Sequence, residues 1–165
     1  MHIHTILVPY DSGHRGERMG RGPLHFREHG AAERLRALGH DVVETVIEAA
    51  SPFPTEIGTS FALYRSLAEQ IRATVADGGW PLVFAGNCGS ALGTVSGVLA
   101  TTPNDSSGVG VIWLDAHADF NTPDTTASGF LDGMGLAALT GRCWRTLTAT
   151  IPGFRPASDT NVVLV

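Results

Sequence analysis

Cysteine, charge and long apolar runs are all scarce in this chain, and each scarcity closes off a class of function. Its two cysteines, Cys88 and Cys143, lie 55 positions apart with no CxxC pattern, which excludes a disulfide framework and a structural zinc knot. Only 16% of residues are charged and the formal net charge is -5. Such a balance offers no basic patch for nucleic acid or for an anionic membrane surface. No stretch approaches 18 uninterrupted apolar residues, and the opening Met1-His2-Ile3-His4-Thr5 lacks a positive region followed by an apolar run. The expectation is a cytoplasmic protein with a small-molecule partner. Asn104-Asp105-Ser106 fits a glycosylation sequon, but no secretory signal accompanies it. The glycine-rich stretch 13–22 lacks GxGxxG spacing, and no GxSxG nucleophile elbow is present.

What is there reads as one α/β domain over residues 1–165. Apolar runs bounded by turn residues recur at 4–10, 41–48, 81–85, 109–115 and 161–165, and the last three are apolar enough to predict strands buried on both faces. Helical patterns lie between them. Pro23 opens one helix that runs through Phe26, Ala31 and Leu35 to a stop at Gly39, and a second places Leu63, Leu67, Ile71 and Val75 four apart before Gly78-Gly79. Alternating strand and helix predict a doubly wound parallel sheet with helices on both faces. The chain stops at Val165 inside a core-like strand, and the expectation is a domain incomplete at its C-terminus, with the exposed edge covered by a second copy (a homo-oligomer) or by a complementing C-terminal segment.

In such sheets ligands bind beyond the carboxyl ends of the strands, which directs attention to the segments after Tyr10, Ala85 and Asp115. The segment 116–131 is longer than a mere connection needs. Asp115, His117 and Asp119 stand at i, i+2 and i+4 where the apolar run Val111-Ile112-Trp113-Leu114 ends, and in extended chain alternate side chains point the same way. Two carboxylates and an imidazole suit a divalent ion, and a cation would offset the cost of an unpaired carboxylate at the core's edge. The plainer alternative is a solvated loop with Asp119 as a cap. Cys88, in Gly86-Asn87-Cys88-Gly89-Ser90, ends another strand before a helix through Leu92, Val95 and Val98, and is either a small core residue or a thiolate ligand.

Here the residues resemble a known family. The run Asp115-Ala-His117-Ala-Asp119-Phe-Asn121-Thr-Pro123-Asp-Thr125-Thr126-Ala-Ser128-Gly129 is similar to the arginase (ureohydrolase) signature, Arg21-Gly22-Pro23 is like its early glycine-proline, and Gly86 to Ser90 sits where the family has Gly-Gly-Asp-His-Ser. The resemblance implies an arginase-like three-layer α/β fold and two divalent metal ions, normally manganese, that activate water for attack on a guanidinium carbon with release of urea. It further implies that Asp115 bridges both ions, that Asp119 binds the first and His117 the second, and that Asn121, Thr126 and Ser128 hold the α-carboxylate of an arginine-type substrate.

Three departures qualify the resemblance. Cys88 replaces the usual histidine at the first ion; manganese stays the expected metal, while the softer thiolate either opens the site to zinc or iron or weakens manganese binding. Asp132 stands where the family carries a proton-shuttling histidine. It joins Asp119 as a candidate catalytic carboxylate, gripping a guanidine or an N-hydroxyguanidine, or else it caps the helix through Leu136 and Leu139. The aspartate-rich motif of the family's second half is missing, so Cys88, Asp115, His117 and Asp119 alone leave two ions short of donors. The sequence therefore predicts an amidinohydrolase that needs further ligands to act, with a non-catalytic ligand-binding or partner subunit as the alternative. A Ser90 or Cys88 nucleophile would require a histidine base, a role for which His117 is less apt than that of a ligand.

Overall fold

The computed structural model describes residues 1–51, 55–102 and 109–165. The Asn104-Asp105-Ser106 sequon lies outside the described residues. In chain order the first elements are β1 (His2–Val8), a small hairpin of β2 (Tyr10–Asp11) and β3 (His14–Arg15), α1 (Arg21–Glu28), α2 (Ala31–Ala37) and β4 (Asp41–Val46). There follow α3 (Glu56–Ala76), β5 (Trp80–Ala85), α4 (Ala91–Leu99), β6 (Val111–Trp113), α5 (Gly135–Leu139), α6 (Arg145–Thr148) and β7 (Val162–Leu164).

β1 is the central strand of a parallel sheet in the order β4-β1-β5, with Ile3 facing Val42 and Trp80, and Ile6 facing Thr45 and Val83. Because successive side chains leave a strand on opposite faces, β1 serves two layers. Ile3 packs with Val42, Ala32, Leu35 and Leu82 beneath α2, while Ile6 and Val8 pack with Leu63, Leu67 and Ile71 of α3. Helices therefore cover both faces, as the alternation of elements predicts. β6 and β7 form a second parallel pair, extended by Val165 N–H donating to the Trp113 carbonyl and Asp115 N–H to the Val165 carbonyl.

The expectation of strands buried on both faces fails for the last three. β5 is half-buried, and Ile112, Leu114, Val163, Leu164 and Val165 are exposed. Among the described residues only β1 has a paired strand on each side and a helical layer on each face, so an apolar run reveals a capacity for burial that neighbours must complete. The helix opened by Pro23 is also two helices. Gly30, at φ 76°, takes a left-handed conformation that interrupts the ladder between α1 and α2, and Pro23 is the third residue of α1. α3 matches its four-residue periodicity. The Thr55 hydroxyl accepts the Gly58 N–H at 3.0 Å as an N-cap, and no helix among the described residues is long and apolar enough to cross a membrane.

α3 is buried along two stripes, because Phe61, Tyr64 and Ala68 meet α4 and α5 in a second core with Leu92, Trp113, Met134 and Leu139. The approach of α4 is close. A Cβ on Gly97 would stand 2.5 Å from the Ile71 Cβ and 2.6 Å from the Ala68 carbonyl, and one on Gly93 would stand 2.6 Å from the Tyr64 carbonyl. Gly97→Ala should thus destabilise the protein by about 1–3 kcal/mol despite alanine's better helix propensity, because it forces the two helices apart. Chemical denaturation measures this, and a loss under about 0.5 kcal/mol would mean that the helices are not held at this spacing.

Candidate metal centre

Three loops converge beyond the strand ends. β6 delivers Asp115, whose N–H is tied to β7; the turn after β5 carries Asn87 and Cys88; and the chain from 116 to 134 folds back beneath both. Backbone geometry after β6 departs from the extended course on which the expected convergence relied. Asp119 has φ 46°, a left-handed conformation rare outside glycine though most tolerated by Asp and Asn. Its carbonyl accepts the N–H groups of Leu136 at 3.0 Å and Ala137 at 3.2 Å, which anchors the turn to the start of α5.

The turn decides which side chains meet. Donor atoms of Cys88, Asp115 and Asp119 lie within 4.8 Å of one another. His117 does not join them: its side chain is 86% exposed, with Nδ1 3.6 Å from Asp115 Oδ1. Asp115 Oδ1 also accepts the His117 N–H at 2.9 Å, and Asp115 Oδ2 takes the Cys88 thiol at 3.4 Å. Asp119 is the buried member of the trio, and its Oδ2 has no hydrogen-bond partner.

The electrostatics follow from that crowding. Burial, then the charges of Asp115 and Asp132, push the Asp119 carboxyl up to about 6. Burial, then the charge of Asp132, the bond to Asp115 and the remaining charges, push the Cys88 thiol up to about 12. Asp115 is held below the usual carboxylate range, chiefly by the His117 N–H. An orphaned buried carboxylate oxygen, a second carboxylate and a thiol form a donor set that fits a divalent cation, whose charge would reverse both upward shifts.

A cleft of about 530 Å³ opens beside the trio, lined by His117, Asp119, Asn121, Thr126, Ser128 and Phe130 among others. All three expected carboxylate-binding residues are thus brought to one cavity. Asp132 is not among its lining residues. Its carboxylate instead accepts the Cys88 N–H at 3.0 Å, the Gly89 N–H at 2.6 Å and the Asn87 side-chain amide at 3.0 Å. It caps the turn that leads into α4, not the helix that follows it in sequence.

Comparison with known proteins places the fold in a family. The family model described as Arginase family matches residues 2–162. The chain belongs to the arginase family. It is 33% identical to an arginase of Bacillus caldovelox across 99% of its own length and 56% of that relative's, and 30% identical to the mitochondrial arginase-2 of Homo sapiens across 92% and 45%. The native Bacillus caldovelox arginase structure superposes with a TM-score of 0.86 at 31% identity, and that from Bacillus cereus with 0.85 at 31%, each covering 99% of this chain and 56% of the other. The fold is the arginase fold. The chain spans roughly half the length of these relatives.

Asn87, Asp11 and Arg18 were not singled out from the sequence, although each lies in or near a segment following a strand. Asn87 Oδ1 accepts the Ser12 N–H at 2.9 Å, and Asp11 is bound by Arg18 and by the Met19 N–H. Burial pushes the Asp11 carboxyl up, but the Met19 N–H, the Ser12 hydroxyl and Arg18 outweigh it and hold Asp11 below its ordinary value. No residue spacing signals this network, which exists only where β2 and β5 end side by side.

A carboxyl whose pKa is higher in the folded state holds its proton more tightly there. Its stabilising contribution is therefore complete below the unfolded value of 3.8 and is lost as pH rises through about 6. Metal-free protein should lose about 1–2 kcal/mol relative to its Asp119→Asn variant between pH 4 and pH 7. Denaturation curves across that range provide the check, and parallel profiles would remove the electrostatic penalty at Asp119.

Proposed function

We propose that this chain carries the core of a binuclear metal-dependent amidinohydrolase that releases urea from arginine or a related guanidino or hydroxyguanidino amino acid. Membership of the arginase family supports a hydrolase of the ureohydrolase kind. The observation that carries the reading is the buried, unpartnered Asp119 Oδ2, set in a trio with Cys88 and Asp115 at the wall of a cleft lined by Asn121, Thr126 and Ser128.

Asp115, Asp119 and Cys88 would hold the first ion, with Asp115 shared and the exposed His117 available to the second. Bound divalent ions supply Lewis acidity, lowering the pKa of water and polarising the guanidinium group. Manganese is the family's usual metal, and the Cys88 thiolate shifts the donor set towards zinc or iron. The remaining residues select the substrate. Thr126 Oγ1 accepts the Gly129 N–H at 3.1 Å and Ser128 Oγ accepts the Phe130 N–H at 3.2 Å, so each hydroxyl is oriented with its proton left to donate to an α-carboxylate. A decarboxylated substrate such as agmatine leaves these donors unpaired.

A second reading, a ligand-binding or partner subunit that does not turn substrate over, has its own support. The described residues assemble one three-donor cluster, and the β6–β7 pair presents on one face a row of exposed apolar side chains, Ile112, Leu114, Val163 and Val165, suited to another copy or a complementing chain.

Elemental analysis, a urea assay and size-exclusion chromatography on one purified sample separate the two readings. The hydrolase should retain metal, lose it in Asp115→Ala, and turn over arginine or N-hydroxyarginine at least roughly a hundredfold better than agmatine in kcat/KM. Comparable agmatine turnover would refute the carboxylate assignment. Ligand binding without urea, with or without an added complementing chain, would favour the subunit.

A further inference from the structure

The turn from Gly86 to Gly89 is gripped from two sides. On one side the Ser12 N–H holds Asn87 Oδ1 at 2.9 Å, and Gly86 lies so near Tyr10 and Gly20 that a Cβ there would stand 2.7 Å from the Gly20 nitrogen. On the other side Asp132 takes the Asn87 amide and the Cys88 N–H on Oδ2, and the Gly89 N–H on Oδ1. Space is closed as well. A side chain at Gly89 would collide with the Tyr64 hydroxyl and come within 3.2 Å of Asp132 Oδ1. Both carboxylate oxygens are thus committed to one short turn, and that turn ends in the Cys88 sulfur that reaches Asp115. A carboxylate whose lone pairs are spent on backbone N–H groups directs the backbone that carries the thiol, and with it the direction of the Cα–Cβ bond.

We propose that Asp132 is a positioning residue for the metal centre: by clamping the N–H groups of Cys88 and Gly89 and the amide of Asn87, it aims the Cys88 sulfur at Asp115 and Asp119. The inference rests on the reading of Cys88 as a metal donor. It assigns Asp132 neither to proton transfer nor to contact with the guanidino group, and it makes the Asn87–Asp132 pair the link between the hairpin at Asp11 and the donor trio.

The test is a double-mutant cycle read with cobalt(II) as probe. The unmodified chain should bind cobalt(II) with a near-ultraviolet sulfur-to-cobalt charge-transfer band that Cys88→Ser abolishes. Asp132→Asn is isosteric, but it turns an amide donor on one of the N–H groups. It should weaken cobalt affinity roughly 10–100-fold and diminish the band. In the Cys88→Ser background the same change should alter affinity less than about threefold, since no sulfur is left to aim. Equal losses in both backgrounds would show that Asp132 acts only through its negative charge, and overturn the proposal while leaving the metal reading intact. Cobalt binding without the thiolate band would overturn the metal reading of Cys88 and the proposal with it. In the metal-free chain, the Cys88 and Gly89 amide protons should shift upfield in Asp132→Asn; unmoved amide signals would show that the clamp is not formed. Asn87→Ala, which keeps both backbone bonds to Asp132, should lower affinity less than Asp132→Asn, and a larger loss would place the control elsewhere.

Discussion

The structure turns on a concentration of negative charge that the polypeptide does not neutralise. Asp115, Asp119 and Asp132 surround the Cys88 thiol, and the most buried of the three leaves an oxygen unpartnered. Buried polar atoms without partners cost on the order of 1–3 kcal/mol each, and a charge costs more. A bound cation would offset such a cost, and the rest of the site maintains the crowding: Asp119 is held in a left-handed turn by the first amides of α5, Asp115 is tied to the end of β7, and the backbone of Cys88 is bonded to Asp132.

That arrangement also ties the site to the core. The α5 amides that anchor Asp119 belong to a helix buried against α3 and α4, and Trp113, two residues before Asp115, lies in the same cluster. α3 in turn packs on β1 with its other stripe. Displacement of α3 relative to α4 would therefore reach the donor trio through packed elements, whereas the cleft beyond Asn121 is built from turns closed by Thr125, Thr126 and Ser128.

Cys88 and Asp132 change the chemistry of the centre together. The neutral thiol is favoured by burial and by the charge of Asp132, so a cation must displace a proton from sulfur to be bound by it. The same carboxylate that opposes ionisation of the thiol bonds the backbone that carries it, so on the proposed reading metal capture at Cys88 would couple to pH and to the integrity of one turn.

Much of this was legible in the sequence. Alternating apolar runs and four-residue periodicities point to the strands, α3 and the parallel arrangement, because burial of a stripe or a face requires that spacing whatever the neighbours are. The local run from Asp115 to Gly129 determines the donor and hydroxyl types beside one another, and with them the family. Tertiary structure alone decided the rest. Spacing could not show that the chain bends at Asp119 and leaves His117 outside the trio, because the bend depends on hydrogen bonds from α5, some 17 residues further on. Nor could it show which backbone Asp132 caps: its partners are 43 to 45 positions away and meet it only once β5 and β6 have been brought alongside the same two helices. Burial of β5, β6 and β7 was likewise beyond the apolar pattern, since hydrophobic residues state a preference for the interior, and only packed neighbours exclude the water.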